Sequence, residues 1–200
     1  MKLYYVPQTR AFRVLWALEE LEEAFELVEI TREEKIETEH RTRHPLGKVP
    51  VLDDGEGMIY ESTGILLHLA DRYPDKGLAP AVGAHERALL YQWLFYAMTE
   101  VEIPIVDIFI QKMFSESPDQ AIIDAAAERF DTAIAVIEKE LANRDYMLES
   151  GFSVADIVLE NMLMFAGLVE LPALPNCSAY AERLKERPAY QRASAVGDAA

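Results

Sequence analysis

The chain has 200 residues, enough for one large domain or two small ones, and half of them are apolar, enough for a sizeable core. Lys and Arg number 19 against 35 Asp and Glu, a formal charge of −16, with 10 basic and 16 acidic side chains in residues 1–80 and 9 and 19 in residues 81–200. So acidic a chain argues against nucleic acid or an anionic membrane as partner. No run approaches the roughly twenty apolar residues of a membrane span. Cys177 is the single cysteine, so no internal disulfide can form. The opening MKLYYVPQTR enters without an apolar signal core, and a cytoplasmic location is expected.

KLYYV (residues 2–6) reads as a short strand, and Pro7-Gln8-Thr9 as a turn. Residues 10–22 carry Phe12, Leu15, Trp16 and Leu18 at helical spacing. Phe25 to Ile30 alternates as a second strand. Residues 33–43 are charged and predict a helical or irregular segment. Val49–Leu52 and Met58–Tyr60 form a hairpin pattern around Asp53-Asp54-Gly55. Ser62 to Tyr73 reads as helix, ended by Pro74. This order is βαβ followed by ββα, with the first unit parallel and right-handed, as in thioredoxin-like domains. It predicts an α/β domain over residues 1–76 with a four-stranded mixed sheet.

PDKGLAPAVG, residues 74–83, is rich in Pro and Gly, and a linker is expected at 77–84. Strand signals then vanish, so residues 85–200 are expected to be an all-α bundle. His85–Phe114 reads as one long helix bent near Pro104. Ser117-Pro118 looks like an N-cap with Pro at the first helical position, opening a helix to about Leu141. Ser153 and Asp156 have capping-box spacing, with Asp in place of the usual Glu. Nearly every position from Val154 to Leu168 is apolar, so that helix should be buried on all sides. Cys177 sits at a helix start, Pro-Asn-Cys-Ser, where a buried or capping-region thiol is expected.

The segment GKVPVLDDGEGMIYEST, residues 47–63, carries the strongest functional signal. Pro50 fixes its own φ and removes a donor just before Val51-Leu52. A cis Val49-Pro50 bond would leave the Val49 N–H and C=O pointing outward, able to pair with an extended peptide as a sheet edge does. Glu61-Ser62 opens a helix with Ser62 expected as N-cap. Free N–H groups and the positive end of the helix dipole there attract a carboxylate. Glu61 can accept from an ammonium group. A backbone clamp beside a site for an α-amino acid head group suits a γ-glutamyl tripeptide.

These residues resemble the glutathione site of the cytosolic glutathione transferase family, and the resemblance runs through nearly all of the chain. It implies that Val49 and Pro50 bind the cysteinyl backbone and that Glu61 and Ser62 bind the γ-glutamyl group. The Ser153–Asp156 box at the start of a buried helix is also characteristic of the family, where it serves folding. YAERLKERPAYQRA, residues 180–193, resembles the closing helices. The family usually forms two-fold dimers, so a homodimer is expected. The apolar, aromatic helix around Tyr91–Phe95 is compatible with that.

Such chemistry needs a donor aimed at the glutathione sulfur, at the end of the first strand. Three residues there compete. Thr9 stands first, since its hydroxyl can donate, though it can equally cap the helix that follows. Tyr5, two residues before Pro7, resembles the tyrosine-type transferases. Arg10 offers a cation. Gln8 stands where several serine-type classes place their serine. No cysteine lies in this loop, so mixed-disulfide chemistry is not expected. Lys48 can pair with the glycine carboxylate of glutathione; Arg41 and Arg43 can serve the same end. Tyr96, Thr99 and Ile103, with Met98 and Glu102, are candidates for the wall that meets the electrophile. His40 and His44 have i, i+4 spacing, but Pro45 ends that helix and no third ligand is evident, so no metal is expected.

The expected activity is transfer of glutathione to a small hydrophobic electrophile. Two alternatives remain: glutathione-dependent disulfide or peroxide reduction or isomerisation at the same site, and glutathione binding without catalysis.

Overall fold

The structure, a computed structural model, describes residues 1–31 and 33–197. The chain divides into two compact units: Met1–Ala79 joined by the chain from Lys185 onward, and Pro80–Leu184.

The first unit is built on a four-stranded mixed sheet of order β2-β1-β3-β4. Its strands are β1 (Lys2–Tyr5), β2 (Glu26–Glu29), β3 (Val51–Asp53) and β4 (Met58–Tyr60). β1 runs parallel to β2 and antiparallel to β3, and β3 pairs antiparallel with β4. Leu3, Tyr4 and Tyr5 of β1 are all buried, as befits a strand paired on both edges and covered on both faces. The helices are α1 (Ala11–Leu21), α2 (Thr38–Arg43) and α3 (Ser62–Arg72). The charged stretch expected to be helical or irregular is a 3₁₀ turn at Glu34–Ile36 followed by α2. The strand expected from Val49 begins only at Val51, because Pro50 has no N–H to give to the ladder.

The last helix, α9 (Pro188–Gly197), closes on α1. Tyr190 sets its ring edge-on to Phe12 and Trp16, with centroids 5.3 and 4.9 Å away. Arg187 donates two hydrogen bonds to Glu20, at 2.7 and 2.8 Å, in a bidentate fork. Trp16 donates to the same carboxylate at 2.9 Å. α1 is therefore fixed along its length, and with it the loop that precedes it.

The second unit is helical: α4 (His85–Tyr96), α5 (Glu102–Phe114), α6 (Gln120–Leu141), α7 (Val154–Leu168) and α8 (Pro175–Lys185). The expected single helix 85–114 is interrupted by a π-helical turn at Ala97–Val101. That turn lies just upstream of Pro104 in α5, whose missing N–H removes one bond from the continuous helical ladder. The expected N-cap Ser117 is displaced by Asp119, whose carboxylate accepts from the Ala121 N–H at 2.9 Å. The all-round burial expected of α7 holds from Val154 to Met162, but Leu168 at its end is 58% exposed.

The capping box at the head of α7 forms as the spacing predicts. The Asp156 carboxylate accepts from the N–H groups of Ser153 (2.7 Å) and Met147 (2.9 Å), from the Ser153 hydroxyl (3.0 Å) and from the Tyr180 hydroxyl (2.8 Å). Burial pushes the Asp156 pKa up against those hydrogen bonds. Ser153→Ala removes a cap and one donor to a buried carboxylate. It should lower the unfolding free energy by about 1–2 kcal/mol in equilibrium urea unfolding.

Candidate functional site

The register Tyr4↔Val51 brings Val49 and Pro50 alongside the end of β1, where the loop into α1 begins. The Val49–Pro50 peptide is cis. Val49 packs its side chain on a cluster of Tyr4, Val6, Ile30 and Val51. The ladder to β1 ends at Val51, so the Val49 main chain lies outside the sheet. Gly47, two residues earlier, has φ +62, and a Cβ there would come within 2.4 Å of the Lys35 carbonyl oxygen. Only glycine fits that turn.

Glu61 sits at the head of α3 with φ 71, a conformation that non-glycine residues rarely hold. It, rather than Ser62, occupies the N-cap position, and no side chain caps the helix. The first helical hydrogen bond runs from Ile65 N–H to the Glu61 carbonyl at 2.9 Å. Among the described residues no partner meets the N–H groups of Ser62 and Thr63, and the buried Thr63 hydroxyl is likewise unpaired. These are the orphan donors that make a helix start attractive to a carboxylate. Ser62 is buried, and its hydroxyl oxygen accepts from Arg13 Nη1 at 3.4 Å. Arg13 is itself fully buried in α1, so this contact links the head of α3 to the first turn of α1.

Below Glu61, Asp54 fastens the β3–β4 turn to α3. Its carboxylate accepts from the N–H groups of Glu56 (2.9 Å) and Gly57 (3.1 Å), from His68 Nε2 (2.9 Å) and from Arg72 Nη1 (3.1 Å). The Glu56 N–H, then the Gly57 N–H and His68, hold its pKa below the usual carboxylate value despite burial.

The three candidate thiolate donors are differently committed. Tyr5 is buried and donates its hydroxyl to Glu29 at 3.3 Å; burial and then the Glu29 charge push its pKa up. Thr9 donates to the Val6 carbonyl at 2.7 Å and accepts from the Ala11 N–H at 3.3 Å. Thr9 thus meets the first N–H of α1 from one residue before its N-cap position. Arg10 stands exposed at the N-cap position of α1. Gln8 is exposed with φ 57, a second positive-φ residue beside the site.

Of the further candidates, Lys48 is exposed, with its carbonyl bound by His40, and Arg41 is exposed on α2. Arg43 lies over the Tyr4 ring, 4.5 Å from its centroid. His44 is buried against Tyr60, with ring centroids 4.8 Å apart, and its Nδ1 accepts from the Leu46 N–H. Burial lowers its pKa, opposed by the Glu61 charge. In the helical unit, Tyr96 donates to the Ala133 carbonyl at 3.0 Å and Thr99 to the Phe95 carbonyl at 3.0 Å, while Ile103 is 43% exposed. Cys177 is buried, and burial together with Glu138 pushes its thiol up to about 12, which makes it inert as a nucleophile.

Residues 3–77 match the family model described as "Glutathione S-transferase, N-terminal domain", and residues 120–183 match "Glutathione S-transferase, C-terminal domain". Glutathione S-transferase 4 of Zea mays is 31% identical over 192 residues, covering 90% of this chain and 85% of that protein. A sphingomonad glutathione S-transferase solved with glutathione is 33% identical, with a TM-score of 0.89 and full coverage of both chains. A bacterial beta class enzyme from Sphingomonas chungbukensis is 30% identical, with a TM-score of 0.87 over 98% of each. The chain belongs to the glutathione S-transferase family.

Within this transferase fold, two residues that support the site escaped the sequence reading. Arg13 lies inside an amphipathic pattern that treats every charge as solvated; it is fully buried and donates to Ser62, 49 residues away. Asp54 reads as a turn residue, yet it is only 8% exposed and joins the turn to a helix. A carboxylate with a depressed pKa stabilises fully above its unfolded value, near 3.8, and the effect fades as pH falls through the folded value. Asp54→Asn should therefore cost about 2 kcal/mol at neutral pH, because an amide nitrogen would face the His68 and Arg72 donors. The difference from wild type should shrink as the pH drops below 3.8 in urea unfolding titrations.

Proposed function

We propose that the chain is a glutathione transferase. It binds glutathione at the head of α3 and at the Val49 main chain, and transfers the thiolate to small hydrophobic electrophiles. The uncapped start of α3, with Glu61 and Ser62 beside it, is the observation that carries this reading. The γ-glutamyl carboxylate meets the Ser62 N–H and hydroxyl, and Glu61 accepts from the ammonium group. Val49 pairs with the cysteinyl backbone, and Lys48 faces the glycine carboxylate. Ile103 presents an exposed apolar side chain, on the same helical stretch as Tyr96 and Thr99. The exposed Tyr91 and Phe95 of α4 support a homodimer. One buried, unreactive cysteine is compatible with the cytoplasm.

The free thiol of glutathione has a pKa near about 8.5, so only a few per cent is thiolate at neutral pH. Thr9 is the donor we assign to it. Its hydroxyl proton now serves the Val6 carbonyl, a neutral bond of about 1 kcal/mol, whereas a bond to a thiolate contributes about 1.5–3 kcal/mol. Rotation of one O–H toward the sulfur is therefore favourable. The start of α1 and the Arg10 cation add positive potential. Tyr5 keeps its bond to Glu29.

Thr9→Ala should raise the pKa of bound glutathione by about one unit and lower turnover with an aryl halide about tenfold, with Thr9→Ser restoring both. Tyr5→Phe should leave that pKa unchanged. An unmoved pKa in Thr9→Ala would transfer the role to Arg10. The Thr9–Val6 bond also favours a second reading, binding without turnover, which the same assay detects as saturable binding at zero rate. Glu61→Gln with Ser62→Ala should weaken binding on the order of 100-fold by calorimetry, since two charge-assisted contacts are lost.

A further inference from the structure

His40 stands apart from every residue assigned above, and its surroundings are specific. It lies on α2, only 1% exposed, with Nε2 2.9 Å from the Lys48 carbonyl oxygen. A carbonyl only accepts, so Nε2 is the donor in this bond. Nδ1 is buried without a partner among the described residues. The ring is therefore committed to a single main-chain oxygen eight residues along the chain.

That oxygen belongs to the peptide unit joining Lys48 to Val49. A peptide unit is planar, and in the trans form its C=O and N–H point in opposite directions. Fixing the Lys48 C=O therefore fixes the direction of the Val49 N–H. Accepting a hydrogen bond at oxygen also polarises the unit, which makes the N–H a stronger donor. The flanking restraints act on either side of this plane: Gly47 turns the chain at φ +62, and the Val49 side chain packs on Tyr4, Val6, Ile30 and Val51. His40 supplies the restraint on the plane itself.

We infer that His40 is a positioning residue for glutathione, aiming and polarising the Val49 N–H through its hydrogen bond to the Lys48 carbonyl. The inference rests on the reading of Val49 as a glutathione contact. It predicts that the imidazole touches neither the tripeptide nor the electrophile and acts only on affinity.

The test compares wild type, His40→Phe, His40→Gln and His40→Asn by calorimetry with glutathione and by steady-state kinetics with an aryl halide. Gln places an amide donor at about the reach of Nε2, whereas Asn falls short and Phe has none. His40→Phe should raise both Kd and KM for glutathione about five- to tenfold, with kcat at saturation unchanged. His40→Gln should restore most of the loss, and hydrogen exchange at the Val49 amide should be faster in Phe than in Gln. If the Phe variant does not fold, His40→Asn carries the same expectation. A wild-type Kd in folded Phe or Asn variants would overturn the role of His40 while leaving the site intact. A loss confined to thermal stability, with Kd and KM unmoved, would equally overturn it. Absence of glutathione binding by the wild type would instead remove the functional reading itself.

Discussion

An α-helix begins with amide groups that its own hydrogen bonds do not use. In most helices a side chain at the N-cap answers them; in α3 none does. The residue in that position, Glu61, holds a positive φ and makes no capping hydrogen bond. Holding that conformation costs of order 1–3 kcal/mol, so the surroundings must over-determine it. Asp54 anchors α3 farther along, tying the β3–β4 turn to His68 and Arg72. Arg13 anchors its head through Ser62. The helix start is thus kept open by interactions made elsewhere in the same unit.

The same economy governs the opposite wall. β1 is paired on both edges, so its end is rigid, and the Tyr4↔Val51 register sets where Val49 and Pro50 run. α1 leaves from that end with the Thr9 hydroxyl on its first N–H, and α9 holds α1 through Tyr190 and the Arg187–Glu20 fork. Gln8, the other positive-φ residue of this loop, lies beside the same end of the sheet. Backbone strain, open amides and an out-of-ladder strand entrance are therefore gathered at one edge of the first unit. The chemistry of a zwitterionic tripeptide matches them: a carboxylate for the amides, an ammonium for Glu61 and an extended backbone for Val49.

Much of this was legible from local pattern. Period-two and period-three-to-four apolar spacing gave the βαβ–ββα order, and the Val49-Pro50 and Glu61-Ser62 pairs pointed to the proposed site because Pro and helix starts constrain the backbone wherever they occur. The capping box at Ser153 and Asp156 was readable for the same reason: its contacts span three residues. What escaped depends on distant partners. Arg13 reaches Ser62, 49 residues away, and Asp54 reaches His68 and Arg72 of α3; neither partner lies within a sequence window. The π-turn at Ala97–Val101 displaced the expected bend from Pro104, since the helix accommodates proline by rearranging upstream of it. Asp119 displaced Ser117 as cap because a carboxylate two residues before Ala121 reaches its amide. The hydroxyls of Tyr5 and Thr9 were visible as donors, but only the fold assigns them to Glu29 and Val6.

The central claim is that the open amides of α3 and the Val49 main chain together hold glutathione. Amide-resolved NMR of the uniformly labelled protein titrated with glutathione tests it directly. Saturable shifts concentrated at Val49, Ser62 and Thr63, with downfield movement of the Ser62 amide as it gains a carboxylate acceptor, are the expected result. Saturable binding whose shifts bypass those three amides, or a spectrum unchanged at millimolar glutathione, would contradict the account.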